Sequence, residues 1–200
     1  MAILLGCTTT PEPKAPLSLT QGDYAYVKEY MDWYIKEQMA EKDIVGLSIA
    51  LVDDQKIVWQ KGYGYADKSK QIKVTPQTRY RAGSITKLFN AMAVMKLVED
   101  YKMNIDKPLK RYLPEFSIKS RFGSTDAITP RNIMSHHSGL PGDWLDRMFA
   151  TNPLPYTEHV GLVKNEYVAY APNTLLSYSN LGITLLGHAV EKTAGMKYEK

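Results

Sequence analysis

Ser84 and Lys87 stand in the run Ser84-Ile85-Thr86-Lys87, directly before an apolar stretch from Leu88 to Val98. A serine at the start of a helix has its hydroxyl near the positive end of the helix dipole. A lysine three residues on lies one turn above it, on the same face. The stretch carrying that lysine is apolar on nearly every side, which predicts a helix buried all round. Burial disfavours the ammonium form, so a lysine there can become neutral near pH 7. It can then take the serine proton or hold a third group as an anion. The same four residues also suit a plain helix cap followed by a lysine that reaches solvent. Tyr178-Ser179-Asn180 is the second group, on a polar loop from Pro172 ahead of an apolar helix that starts at Leu181. A tyrosine hydroxyl beside a cationic lysine is pushed toward phenolate and can shuttle a proton. An asparagine amide both donates to and accepts from a substrate amide. The alternative use of these residues is packing for Tyr178 and helix capping for Asn180.

Other residues that can do chemistry form weaker patterns. His136 and His137 are adjacent and point to different sides. Neither has a carboxylate or histidine at ligand spacing, so the expectation is no metal and, for both, a role in the turn or in supporting residues that do the chemistry. His159 and His188 stand in no pattern, and no Gly-x-Ser-x-Gly elbow occurs. Gly62 and Gly64 suggest a phosphate loop, but Asp67 stands where a third glycine is needed and no helix follows, so they read as bulge or turn glycines.

These residues must be positioned by a chain of 200 amino acids, long enough for one large domain with a core. The hydrophobic fraction is 44% and the charged fraction 23%, which excludes a disordered tail, a fibre or a coiled coil. The net charge of +4 is spread along the chain without the basic stripe of a nucleic-acid protein. A single cysteine excludes an internal disulfide framework and a cysteine-rich zinc site. No apolar run reaches the ~18 residues of a membrane span. Leu4-Leu5-Gly6-Cys7 resembles a bacterial lipobox, followed by a Thr/Pro-rich tether through Pro16. The expectation is lipid attachment at Cys7 and a periplasmic-side location in the bacterial cell envelope, with the lipid as the sole membrane contact.

Periodicity places a helix over about 23–41, capped near Thr20–Asp23, and a hairpin over Val45–Lys61 that turns at Asp53-Asp54. After Pro76 the character becomes helical: the Ser84 helix, a short helix at Pro130 capped by Thr129, a turn at His136–Gly142, and a helix from Leu181 to Lys192 with Gly195 as its stop. The expected organisation is a stub and tether over 1–20, then one α+β catalytic domain over 21–200, with an α/β part at 21–75 and a mainly helical part at 76–200.

The order and context of the two motifs resemble the serine β-lactamase and penicillin-binding-protein superfamily, in its class C β-lactamase, DD-carboxypeptidase and esterase branch. Ser84-Ile85-Thr86-Lys87 is similar to the nucleophile motif. Tyr178-Ser179-Asn180 is similar to the Tyr-x-Asn motif of that branch. Tyr80-Arg81-Ala82-Gly83 and the run from Ile128 to Pro141 extend the likeness, which covers about residues 23–200. The resemblance implies that Ser84 attacks a carbonyl to form an acyl-enzyme without a cofactor. Lys87 and Tyr178 would move protons, Asn180 would hold the substrate amide, and the Ser84 N–H would form half of an oxyanion hole. The implied substrates are a β-lactam, a D-Ala-D-Ala-type peptide or a small ester. The family's third motif, Lys-Thr-Gly or His-x-Gly on a strand, does not follow Asn180. Lys192-Thr193-Ala194-Gly195 reads as a helix end. The resemblance therefore implies a β-lactamase/transpeptidase-like fold present in its N-terminal portion, with the later sheet strands missing. A non-catalytic binding or scaffold protein of the same fold, or an inactive fragment, is the alternative.

Overall fold

Helix α1, Ala25–Glu41, begins where Asp23 accepts the Ala25 backbone N–H at 2.9 Å. The helix starts two residues later than the predicted 23, with Tyr24 at the cap position and no cap bond from its side chain, and it ends at the expected residue. The computed structural model describes residues 10–144, 147 and 150–200; Cys7 and the apolar stub before it lie outside the described residues. The chain divides into two compact units, which meet between Arg81 and Ala82.

In the first unit, strands β1 (Gly46–Asp53) and β2 (Lys56–Asp67) pair antiparallel, with Asp53 opposite Lys56. The turn residues Asp54 and Gln55 both take positive φ, 42° and 65°, the geometry that matches the strand twist in a two-residue hairpin. The predicted hairpin is thus present, but its second strand runs on through Asp67 and pairs with a third, β3 (Ile72–Lys73), giving the order β1-β2-β3. Gly62 and Gly64 are consequently strand residues and not a turn leading off the sheet. A Cβ on Gly64 would stand 2.1 Å from the Val45 carbonyl oxygen, and one on Gly62 would stand 2.5 Å from that of Val74. Their lack of a side chain permits close backbone approach inside the sheet. Asp32 joins α1 to this sheet. It pairs with Lys61 and accepts the Tyr63 hydroxyl at 2.8 Å. Burial pushes the Asp32 carboxyl up, but Lys36, Lys61 and Tyr63 together outweigh it and hold the carboxyl below the usual carboxylate range.

The second unit carries the candidate site. A single 3₁₀ turn, Gly83–Ile85, runs directly into α2, Thr86–Glu99. Helix α3, Pro130–Met134, opens with the predicted Thr129 cap, and Asn132 closes a reciprocal capping box. Helix α4, His159–Val163, falls in a stretch with no clear sequence period. Helix α5, Asn180–Ala194, stops at Gly195 with φ 69°. Lys192–Gly195 is therefore a helix end, as its sequence implies. The core is built from Val94 and Leu97 of α2, Ile133 of α3, Leu140, and Leu185 and Leu186 of α5.

The Ser84 helix is not buried all round, contrary to what its apolar pattern predicts. Only Asn90, Val94 and Leu97 of α2 are buried, while Leu88 is 61% and Met92 58% exposed. Within its unit α2 packs on one side, against α5 and α3. An all-round apolar pattern marks both faces for burial, and this unit supplies a partner for one of them.

Candidate active site

Ser84 occupies the first turn of the α2 rod, where backbone N–H groups have no intrahelical partner. Gly83 before it takes φ +54°, a conformation that glycine adopts without steric penalty. Lys87 follows one turn on, and its Nζ donates to Ser84 Oγ at 3.2 Å and to Asn180 Oδ1 at 2.5 Å. Tyr178 donates its hydroxyl to the same Ser84 Oγ at 2.6 Å. Lys87 Nζ also sits 4.7 Å from the centre of the Tyr178 ring. Ser84, Lys87, Tyr178 and Asn180 are therefore brought together, across the packed α2–α5 pair and the loop that enters α5.

The cap of α5 explains why Asn180 is free to join them. Ser179, and not Asn180, caps the helix: its Oγ accepts the Gly182 N–H at 2.8 Å and donates to the Pro141 carbonyl at 2.6 Å. Asn180 then begins the helix proper, with its backbone N–H on the Gly142 carbonyl at 2.7 Å. Its amide is left to face Lys87. Ser179→Ala removes a buried cap and a second buried bond together. The expected result is a loss of about 1–3 kcal/mol, read as a lower midpoint in chemical denaturation. A midpoint equal to that of the wild type would show that the cap does not hold this helix end.

Asp143 is a member that the sequence pattern did not single out. Its Oδ1 accepts Asn180 Nδ2 at 2.6 Å. Asn180 is thus held from both ends, carbonyl toward the lysine and amide N–H toward the carboxylate. A lone aspartate after the Leu140-Pro141-Gly142 turn carries no spacing signal, and the turn itself is the sole pointer to it.

The electrostatics centre on Tyr178. Lys87 first, and then the Ser84 hydroxyl, hold the Tyr178 hydroxyl below the ordinary tyrosine pKa. Lys87 itself is half-buried and not enclosed, because the neighbouring face of α2 is open. Ser84 is exposed and Tyr178 is 46% exposed, so the hydroxyl pair is open to a ligand. A cavity of about 170 Å³ adjoins Asn180, lined among others by Asp143, Trp144, Leu154 and Thr184. His137 keeps its Nδ1 2.7 Å from the Ser135 carbonyl, a turn role, while His136 packs against Tyr178. Among the described residues no cluster of three or more side chains could hold a metal ion.

A serine hydroxyl flanked by a tyrosine hydroxyl and a lysine amine, at a helix N-terminus, can act as an activated nucleophile with a built-in proton relay. The chain is 28% identical over 174 residues to Protein flp of Staphylococcus aureus (strain MRSA252), covering 86% of this chain and 35% of that protein. It superimposes on a class C β-lactamase crystal structure with a TM-score of 0.74 at 28% identity, covering 90% of this chain and 48% of the other. The octameric penicillin-binding protein homologue from Pyrococcus abyssi gives a TM-score of 0.73 at 32% identity, covering 84% and 40%. The chain thus spans a third to a half of the length of these relatives. The model of the Beta-lactamase family matches residues 31–200, and by that match this chain belongs to the beta-lactamase family.

Proposed function

We propose that this chain carries the nucleophile and proton relay of a serine hydrolase or acyltransferase. The observation that carries the reading is the Tyr178 hydroxyl on Ser84 Oγ at 2.6 Å, with Lys87 Nζ bridging Ser84 and Asn180. Tyr178, in the phenolate form that Lys87 favours, takes the Ser84 proton as Oγ bonds to a substrate carbonyl carbon. The carbonyl oxygen gains negative charge, and the Ser84 backbone N–H at the helix start donates to it. As the carbonyl re-forms, the bond to the leaving nitrogen or oxygen breaks, and the tyrosine returns its proton to that atom. Water or an acceptor amine then repeats the sequence in reverse and frees Ser84. Asn180, fixed by Lys87 and Asp143, presents its second N–H to a substrate carbonyl. The substrate is a small molecule or peptide, namely a β-lactam, a D-Ala-D-Ala-type peptide or a small ester. Lipid attachment at Cys7, with the domain held at the cell envelope, is part of the same reading.

A second reading is a penicillin-binding-like protein that captures its ligand without turnover. It is favoured by the likeness to the octameric penicillin-binding protein homologue from Pyrococcus abyssi. Intact-mass analysis after incubation with an alkyl fluorophosphonate, a penicillin and an activated ester tests both. The expected result is a stoichiometric adduct on the peptide that contains Ser84. Turnover of the ester beyond one equivalent favours the hydrolase, and a stable adduct without turnover favours capture. No adduct with any of the three overturns the acyl-transfer reading.

A further inference from the structure

His136 lies at the position just past the C-cap of α3, in the left-handed region with φ 60°. That position favours glycine, and a histidine there carries backbone strain. The strain is held by two bonds back to α3, His136 N–H to Ile133 carbonyl at 3.1 Å and His137 N–H to Asn132 carbonyl at 2.7 Å. The other side of His136 grips the loop that carries Tyr178. Its carbonyl accepts the Ser177 N–H at 2.7 Å, and its Nδ1 accepts the Ser179 N–H at 3.2 Å. Between these two anchors its ring packs on the Tyr178 ring, with centroids 4.4 Å apart. The residues before and after the tyrosine, and the tyrosine ring itself, are thus all fixed by one side chain and its own carbonyl.

We propose that His136 is a positioning residue, which sets the Tyr178 hydroxyl on Ser84 by accepting the Ser179 N–H at Nδ1 and supporting the Tyr178 ring. The kinetic part of this proposal rests on the acyl-transfer reading; the structural part does not. Accepting at Nδ1 requires a neutral imidazole with its proton on Nε2. The surroundings favour that form. Burial, then Lys87 from α2 and His137 from its own turn, push the His136 pKa down. Tyr178 faces it from the loop before α5. A proton on Nδ1 would set two donors against each other and release the Ser179 N–H.

Two substitutions separate positioning from a purely structural role. His136→Gly suits the left-handed backbone better than histidine but removes the imidazole. His136→Asn tolerates the same φ and keeps an acceptor near the Nδ1 position. The rate of Ser84 phosphonylation by an alkyl fluorophosphonate should fall at least ~10-fold in the glycine variant, because a misplaced proton acceptor slows the chemistry. Its melting temperature should equal or exceed that of the wild type, and the asparagine variant should recover most of the rate. Long-range ¹⁵N–¹H NMR on the full wild-type chain should find the His136 proton on Nε2, and the Ser179 amide should shift as the ring titrates. Wild-type labelling by the glycine variant, or a proton on Nδ1 at neutral pH, overturns the proposal. Absence of labelling in the wild type refutes the acyl-transfer reading instead, and the NMR result then decides whether His136 anchors the tyrosine loop.

Discussion

Ser84→Ala should abolish the fluorophosphonate and penicillin adducts completely while leaving the thermal transition almost unchanged. The first half follows from the convergence of the site: Tyr178 and Lys87 both direct hydrogen bonds at Ser84 Oγ, and among the described residues no other hydroxyl receives both. Once the oxygen is gone, the relay has nothing to activate. The second half follows from exposure. Ser84 lies on the open first turn of α2, and a surface substitution of this kind shifts stability by about 0.5 kcal/mol or less. The check is intact-mass labelling and calorimetry on the same two samples. An adduct of equal yield on the alanine variant would move the nucleophile elsewhere, and a large fall in melting temperature would show that Ser84 is structural.

The parts of this protein that were legible in the sequence are those set by local chemistry. Thr129 and Pro130 announce α3, Gly195 announces the end of α5, and Val45–Lys61 announces a hairpin, because caps, stops and alternation act within a few residues. The joining of Ser84, Lys87, Tyr178 and Asn180 was legible through the order and context of two motifs. What was not legible depended on partners distant in sequence. Gly62 and Gly64 look like turn residues until Val45 and Val74 are seen crowding them inside the sheet. Asn180 is as good a cap by type as Ser179, and the choice between them is made by the Pro141 carbonyl, which takes the serine hydroxyl. Asp143 enters the site only because one turn after α3 folds against the tyrosine loop, and no spacing in the chain encodes that, whereas His136 stands in the Ile128–Pro141 run that carries the family likeness. The apolar pattern of α2 reports what the helix is suited to bury, and cannot say which face this unit covers.

Lys87→Met should move the pH dependence of Ser84 acylation to higher pH and slow the reaction about 100-fold or more near pH 7, in line with the loss of a positioned acid–base group. The sign follows from Tyr178. Its pKa is lowered mainly by Lys87 and secondarily by Ser84, so the phenolate that accepts the serine proton exists at lower pH than for an ordinary tyrosine. The wild-type rate should rise with pH up to that lowered pKa and then level off. Methionine keeps the length of the lysine stem but removes the cation, so Tyr178 returns toward about 10 and the rising limb moves with it. At high pH the variant should recover part of its rate, because enough phenolate forms without help. Recovery stays incomplete because Asn180 Oδ1 has lost its donor, and only the Asp143 contact still orients the amide. Tyr178→Phe serves as the control: it should be slow at every pH and show no such limb. The measurement is the second-order labelling rate from pH 6 to 10.5 for the three proteins. A methionine variant whose limb coincides with that of the wild type would remove Lys87 as the cause of tyrosine activation. A phenylalanine variant that keeps the limb would assign the titrating group to a residue other than Tyr178.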